Sequence, residues 1–422
     1  MKYLVVCGIV LTLGTLGPQQ GMDSPFDSLW ALGALAIMSF VCHQVAAYFR
    51  LPQLVGWMAA GLIMGMSGLR IVRPEEQVPV EFLFSLATVW VGFQVGTGLS
   101  WARATSLPVS AFVGLSTLAT FALAAGGAMA LGQLPAWMAL LLGSIASLWG
   151  PVVVSALSSH KSARLLSLVG SGFSLGIMSV VLLALHLQGV LPVEAPHAAA
   201  RIWLALLAGA SGMEILRRLG LFSAKTSTLL AGFWGSLVLA ALAVGFIGLY
   251  ALPLGLGAGL TLSYHEPRTR SVRSIIGPMG PLAFMVFFPL LGATIDLSML
   301  WPLAGGIFQV ILVLVLAPLA VRGLGMLTME SRFLAPLNMG KHDGWVLCAK
   351  GALLFELIVS PRGRSLVEAI PEPWARLFFQ VVLVDLLLHI LVFSTLALVI
   401  LRLMQLPAQS EASGEVEGVP GQ

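Results

Sequence analysis

The stretch "GSIASLWGPVVVSAL", Gly143–Leu157, sits inside a run of 56 residues, Ala104–Ser159, that contains no Asp, Glu, Lys or Arg. It is apolar enough for a membrane, yet Gly150-Pro151 at its middle weakens a helix and removes one backbone donor. Lipid cannot hydrogen-bond the carbonyl groups that such a break frees. The break is therefore tolerated at membrane depth only where it is buried in protein or lines a cavity. The stretch predicts a discontinuous helix, with its break at Gly150 and Pro151.

The rest of the chain agrees about the solvent. Of its 422 residues 58% are apolar and 9% charged, with a mean hydropathy of +0.97, which excludes a water-soluble globule. Cutting at charge clusters and Gly/Pro breaks gives about thirteen apolar spans: 27–49, 53–70, 80–100, 105–132, 135–158, 164–189, 200–218, 226–248, 249–264, 277–296, 299–328, 343–360 and 374–404. The lipid bilayer is thus the first partner. Residues 1–26 read as a signal-like or short N-terminal hydrophobic segment, 27–404 as one transmembrane domain, and 405–422 as a disordered tail rich in Gly, Pro and Ser. Cys7, Cys42 and Cys348 show neither disulfide nor metal-ligand spacing.

Lys and Arg orient the spans, because cytoplasmic loops retain them. If span 27–49 starts outside, the inner loops collect fourteen basic residues, Arg322 among them, and the outer loops six, Arg201 among them. This places the C-terminus in the cytoplasm of a multi-pass inner-membrane protein. The formal charge of +4 then reflects topology, and no nucleic-acid partner is implied.

Two segments echo one another. "FSLATVWVGFQVGTGLS" (Phe84–Ser100) and "AFMVFFPLLGATIDLS" (Ala283–Ser298) each precede a long span and then a span interrupted at Gly. The second interrupted span is "GWVLCAKGALLFELIVS" (Gly344–Ser360), with its break at Gly351. Paired interruptions in weakly symmetric halves predict an all-helical fold of two inverted repeats with crossed discontinuous helices.

"LPQLVGWMAAGLIMG" (Leu51–Gly65), "FFPLLGATIDL" (Phe287–Leu297) and "AKGALLFEL" (Ala349–Leu357) resemble signature segments of the monovalent cation:proton antiporters. The resemblance covers nearly all of 27–404 and implies that fold, ion transport by antiport, and a homodimer. It also shows a departure. Where the family carries Ser-x-Thr-Asp-Pro at the first break, this chain has Ser147, Leu148, Trp149, Gly150 and Pro151. Leu175-Gly176 fall where the resemblance places the family's carboxylate pair, and Ala317 where electrogenic members carry a Lys.

Cation/proton exchange needs a group that is negative with the cation and neutral with the proton, which Gly and Leu cannot provide. The intramembrane charges left as ion or coupling candidates are Lys350 at the second break, Glu356 on the same span, and Asp385 with His389 at i,i+4 on the last. Each has a bland counterpart: Lys350 satisfying carbonyl ends, Glu356 as its partner or near the headgroups, Asp385–His389 fixing helix packing. Glu214 with Arg217 and Arg218 reads as a local ion pair at a span end. The Gly-rich "GLGAGL" (Gly255–Leu260) reads as helix packing.

No phosphate loop, Ser-His-Asp set or metal-ligand cluster is present in the sequence, so neither an enzyme nor a cofactor is expected. The expected function is a secondary transporter of the antiporter fold with a degenerate ion site, whose ion, proton or monovalent cation, stays open. The alternative is a transport-inactive scaffold or sensor that holds other membrane subunits.

Overall fold

The computed structural model describes residues 25–73, 78–98, 107–157, 161–220, 226–265, 274–301, 307–325, 347–348, 370–371, 374–393 and 395. These are helical throughout, with no strand among them. In chain order the helices are α1 (Pro25–Tyr48), α2 (Gln53–Met64), α3 (Val78–Thr97), α4 (Leu107–Ala130), α5 (Ala136–Ala146), α6 (Pro151–Leu157) and α7 (Lys161–Leu187). There follow α8 (Glu194–Arg218), α9 (Thr226–Ile247), α10 (Ala251–Tyr264), α11 (Gly280–Thr294), α12 (Ile307–Pro318) and α13 (Trp374–Leu387). Among the described residues nine helical stretches are long and apolar enough to span a membrane, α5 and α6 counting together, and α2 and α10 are shorter apolar helices. With α13, and with the predicted span 343–360 lying almost wholly outside the described residues, this accords with about thirteen crossings.

The helices sort into two groups. α1, α2, α3, α8, α9, α10 and α11 pack in one, and α4, α5, α6, α7, α12 and α13 in the other, joined chiefly by α7 against α8 and also by α3 against α6 and α7. The first group is held by backbone proximity. Gly255 of α10 faces the Val89 carbonyl, while Gly96 of α3 would bring a Cβ within 2.5 Å of the Leu256 carbonyl, so only glycine fits this crossing. Gly257 and Gly209 repeat the arrangement between α10 and α8, which confirms the Gly-rich stretch as packing.

The quoted signature segments meet as well. Gly61 of α2 lies on the Pro289 carbonyl of α11, and Trp57 stacks on Phe288 at 6.4 Å. The two echo segments also touch, since Phe84 of α3 stacks on Phe287 of α11 at 5.9 Å and 11°.

Two basic residues stand elsewhere than the charge count put them. Arg201 lies within α8, which begins at Glu194 and not at residue 200. Arg322 is not in an inner loop: it lies in a π-helical segment, Leu319–Leu324, that continues α12, and it is fully buried. The segment starts directly after Pro318, whose missing N–H removes one α-helical bond there.

Candidate functional site: the helix break

The predicted interruption is present. α5 closes with Ser147 N donating to the Gly143 carbonyl at 3.0 Å and Leu148 N to Ile145 at 3.1 Å. Pro151 then opens α6, where a missing N–H costs nothing, and the Gly150 carbonyl accepts the first α6 bond from Val154 N at 2.9 Å. Between the two halves the carbonyls of Ser147, Leu148 and Trp149 have no helical partner. They form the negative end of the α5 dipole, buried inside protein.

A guanidinium fills that end. Arg322 Nη2 donates to the Ser147 carbonyl at 2.5 Å, Nη1 to Leu148 at 3.1 Å, and Nη1 also reaches the Leu347 carbonyl at 3.5 Å. The guanidinium carbon lies 4.3 Å from the centre of the Trp149 ring, a cation–π geometry. On α7, Ser174 Oγ shares its proton between the Ser147 and Gly170 carbonyls, both at 2.8 Å, and Ser171 Oγ, which donates to the Ser167 carbonyl at 2.8 Å, lies 3.5 Å from the Trp149 carbonyl.

Trp149 is fixed in turn. Its Nε1 donates to Thr117 Oγ1 of α4 at 3.0 Å, and its ring lies flat on Gly170 of α7, where any Cβ would enter the ring. The side chain is 1% exposed, so the indole occupies the room beside the break completely.

Asp385 and His389 come close to this cluster. Both are fully buried on α13 and its π-helical continuation Leu388–Phe393, and α13 packs on α12 and α5. His389 Nδ1 lies 2.7 Å from the Asp385 backbone carbonyl and 3.2 Å from its Oδ1, so the pairing at i,i+4 is real. α13 thus lies beside the helix whose continuation carries Arg322.

The remaining predicted positions separate. Leu175 faces inward at 3% exposure. Gly176 has open space where a Cβ would stand and lines an apolar groove with Leu118, Phe173 and Val180, away from the break. The α7 residues that face the break are instead Gly170, Ser171 and Ser174. Ala317 is buried next to Pro318 and carries no charge; the charge of this span is at Arg322. Lys350, Gly351 and Glu356 lie outside the described residues. Among the described residues no group of three metal-ligating side chains forms.

Glu214 is the ion pair expected, with one partner more. Arg217 bonds it at 2.6 and 2.7 Å, Arg218 at 2.9 Å, and His265 at the end of α10 reaches it at 3.1 Å. This clamps α8 to α10.

Sequence reasoning missed Arg322, Ser174 and Thr117 as parts of the break. Arg322 had a signal: span 299–328 contains it, so a basic residue stood inside an apolar run.

A polytopic helical bundle with one helix interrupted, its broken end facing a buried charge, defines a secondary-transporter fold. The sequence profile described as "Sodium/hydrogen exchanger, transmembrane" matches residues 32–399, and the chain belongs to that family of membrane transporters, which are not enzymes. Among solved structures the chain resembles the sodium proton antiporter MjNhaP1 of Methanocaldococcus jannaschii at pH 8, with a TM-score of 0.58 and 15% identity over 89% of this chain and 97% of that one. At that identity the likeness shows the fold alone. No curated protein matches the sequence.

Proposed function

We propose that this chain is a proton-coupled membrane transporter of the exchanger fold in which a tethered guanidinium takes the place of a transported cation. The observation that carries the reading is Arg322 on the Ser147 and Leu148 carbonyls under the Trp149 ring. A cation at this carbonyl end is favourable, and arginine supplies one that never dissociates or loses its proton. A second monovalent cation about 4 Å away would meet a repulsion of about 4 kcal/mol at an effective dielectric of 20. Trp149 removes the space that the ion and its waters need.

Asp385 and His389 are the groups able to carry the proton. A carboxylate near a fixed guanidinium has a charge partner when ionised, and an adjacent imidazole can pass or accept its proton. Lys350 and Glu356 on the second predicted broken span remain coupling candidates beside them. A homodimer in the inner membrane with a cytoplasmic C-terminus fits the uncharged α9 and the Lys/Arg distribution, which is thirteen to five once Arg322 leaves the inner set and Arg201 the outer.

The scaffold reading draws on the same lock. Arg322 ties α12 to the α5 break and Ser174 ties α7 to it, bonds that an alternating transporter must rearrange. Proteoliposomes separate the two. Gradients of Na⁺, K⁺ or Li⁺ are expected to drive no proton flux at any pH. A screen of other substrate gradients is expected to find one that does, with the flux lost in Asp385→Asn. Flux driven by Na⁺ or K⁺ would overturn the proposal, and its survival of neutralisation of Lys350, Glu356, Asp385 and His389 would exclude these residues as the coupling groups as well. Absence of flux under every gradient, with a second membrane protein held in fixed ratio, would favour the scaffold.

A further inference from the structure

We infer that the first two turns of α8 form a headgroup site for one phosphatidylethanolamine of the leaflet at which this helix begins. The inference does not depend on what the protein transports.

Three side chains able to carry charge, Glu194, His197 and Arg201, stand three and four residues apart at the start of α8. That spacing puts them on one face, over about 10 Å of the axis. All three are exposed. Among the described residues none of the three side chains has a hydrogen bond or an ion pair. The far end of the same helix behaves differently. There Glu214, Arg217 and Arg218, at the same kind of spacing, bond one another at 2.6 to 2.9 Å. The charges at the start of α8 face outward instead.

Arg201 is the member that calls for a partner. It lies within an apolar span, and Leu204 and Leu207, one and two turns further in, are 54% and 59% exposed to the hydrocarbon. A guanidinium so placed seeks an anion or extends toward the headgroups. Helical side chains lean toward the start of their helix, so Arg201 leans toward the bilayer surface where α8 begins. A carboxylate on a neighbouring helix would have to stand at hydrocarbon depth to meet it, at a cost of its own, whereas lipid phosphates already lie in that direction.

The order of the charges selects the lipid. From the surface inward the face presents a carboxylate at Glu194, an imidazole at His197 that donates through a ring N–H in either tautomer, and the Arg201 guanidinium with its five donors. Phosphatidylethanolamine carries the complementary groups in the same order, an ammonium outermost and a phosphate next to the glycerol. Its phosphate accepts from Arg201 and His197, and its ammonium donates to Glu194. Phosphatidylglycerol supplies the phosphate but leaves Glu194 against a neutral alcohol. Phosphatidylcholine supplies a cation with no N–H to donate. Leu204 and Leu207 continue inward as the surface along which the acyl chains pack.

The test is native mass spectrometry of the full chain released from micelles that hold phosphatidylethanolamine with an equal amount of either phosphatidylcholine or phosphatidylglycerol. The single-lipid adduct of phosphatidylethanolamine is expected to exceed each competitor by about threefold, the effect of one exposed charge pair. Glu194→Lys makes the face wholly cationic and should turn the preference to phosphatidylglycerol, a reversal that a merely structural change does not produce. Arg201→Gln should remove the preference, and Arg201→Lys should keep most of it. If Arg201→Gln does not fold, Glu194→Lys, exposed at the helix start, carries the test. Equal adducts of the lipids in the parent, or an unchanged preference in a folded Glu194→Lys or Arg201→Gln variant, overturns the inference. So does a second membrane protein that stays with the parent in fixed ratio and is lost in Arg201→Glu, which would give this face to a protein carboxylate.

Discussion

Replacing Arg322 with Met keeps much of the side-chain volume and removes the charge, so it measures what the guanidinium contributes. Two well-formed bonds, to Ser147 at 2.5 Å and Leu148 at 3.1 Å, are lost, with a weak third to Leu347 at 3.5 Å. Hydrogen bonds inside membranes average about 0.6 kcal/mol and reach about 1.7, and a charged donor lies at the upper end. Two such bonds give about 2–3 kcal/mol, and a desolvated cation–π contact adds about 1–2. Relief of the guanidinium's own desolvation works the other way, but the variant leaves the buried Asp385 without its nearby positive charge. The net loss expected is about 2–4 kcal/mol. Reversible unfolding in mixed lipid and detergent micelles reads it. Arg322→Lys should fall between the two, because an ammonium retains the charge and loses the fork and the stacking. A Met variant within about 0.5 kcal/mol of the parent, the scatter of an ordinary surface substitution, would refute the reasoning, as would a Lys variant less stable than Met.

Gly170→Ala should destabilise by about 1–3 kcal/mol because its Cβ would enter the Trp149 ring, and Trp149→Ala should relieve most of that added cost; additive losses in the double variant would contradict the contact. Gly255→Leu should prevent α3 and α10 from packing and abolish recovery of folded protein, whereas Gly245→Leu on α9, with open space around it, should be tolerated. Asp385→Asn should leave folding intact while removing proton coupling, and a variant that still couples would exclude Asp385 as the carrier. Mass measurement in nanodiscs is expected to give twice the 44.5 kDa chain, against a single copy if the homodimer proposal is wrong.

Most of the fold was legible because membrane solvent imposes few options. Apolar runs bounded by charges became helices, and Gly150-Pro151 became a break, since nothing in lipid could satisfy it otherwise. Glu214 and its arginines were legible for a local reason: their spacing of three and four residues places them on one helix face. The occupant of the break was not. Arg322 stands in a π-helical segment that follows Pro318, and a periodicity of 3.6 does not describe the faces of such a segment. The α7 serines that face the break were not legible for a related reason. Without a carboxylate to mark the register, Leu175-Gly176 and the serines at 171 and 174 look alike as sequence, while Gly170 is singled out only by the Trp149 ring lying against it.

In the proposed transporter the Arg322 guanidinium holds the carbonyl end of α5 in place of an ion. An experimental density map of the protein in nanodiscs, in buffer rich in Na⁺ and at alkaline pH, tests it most directly. The expected map has the Arg322 guanidinium on the Ser147 and Leu148 carbonyls beneath Trp149, unchanged when K⁺ replaces Na⁺. Arg322 turned away, with ion density coordinated by those carbonyls in its place, would contradict it.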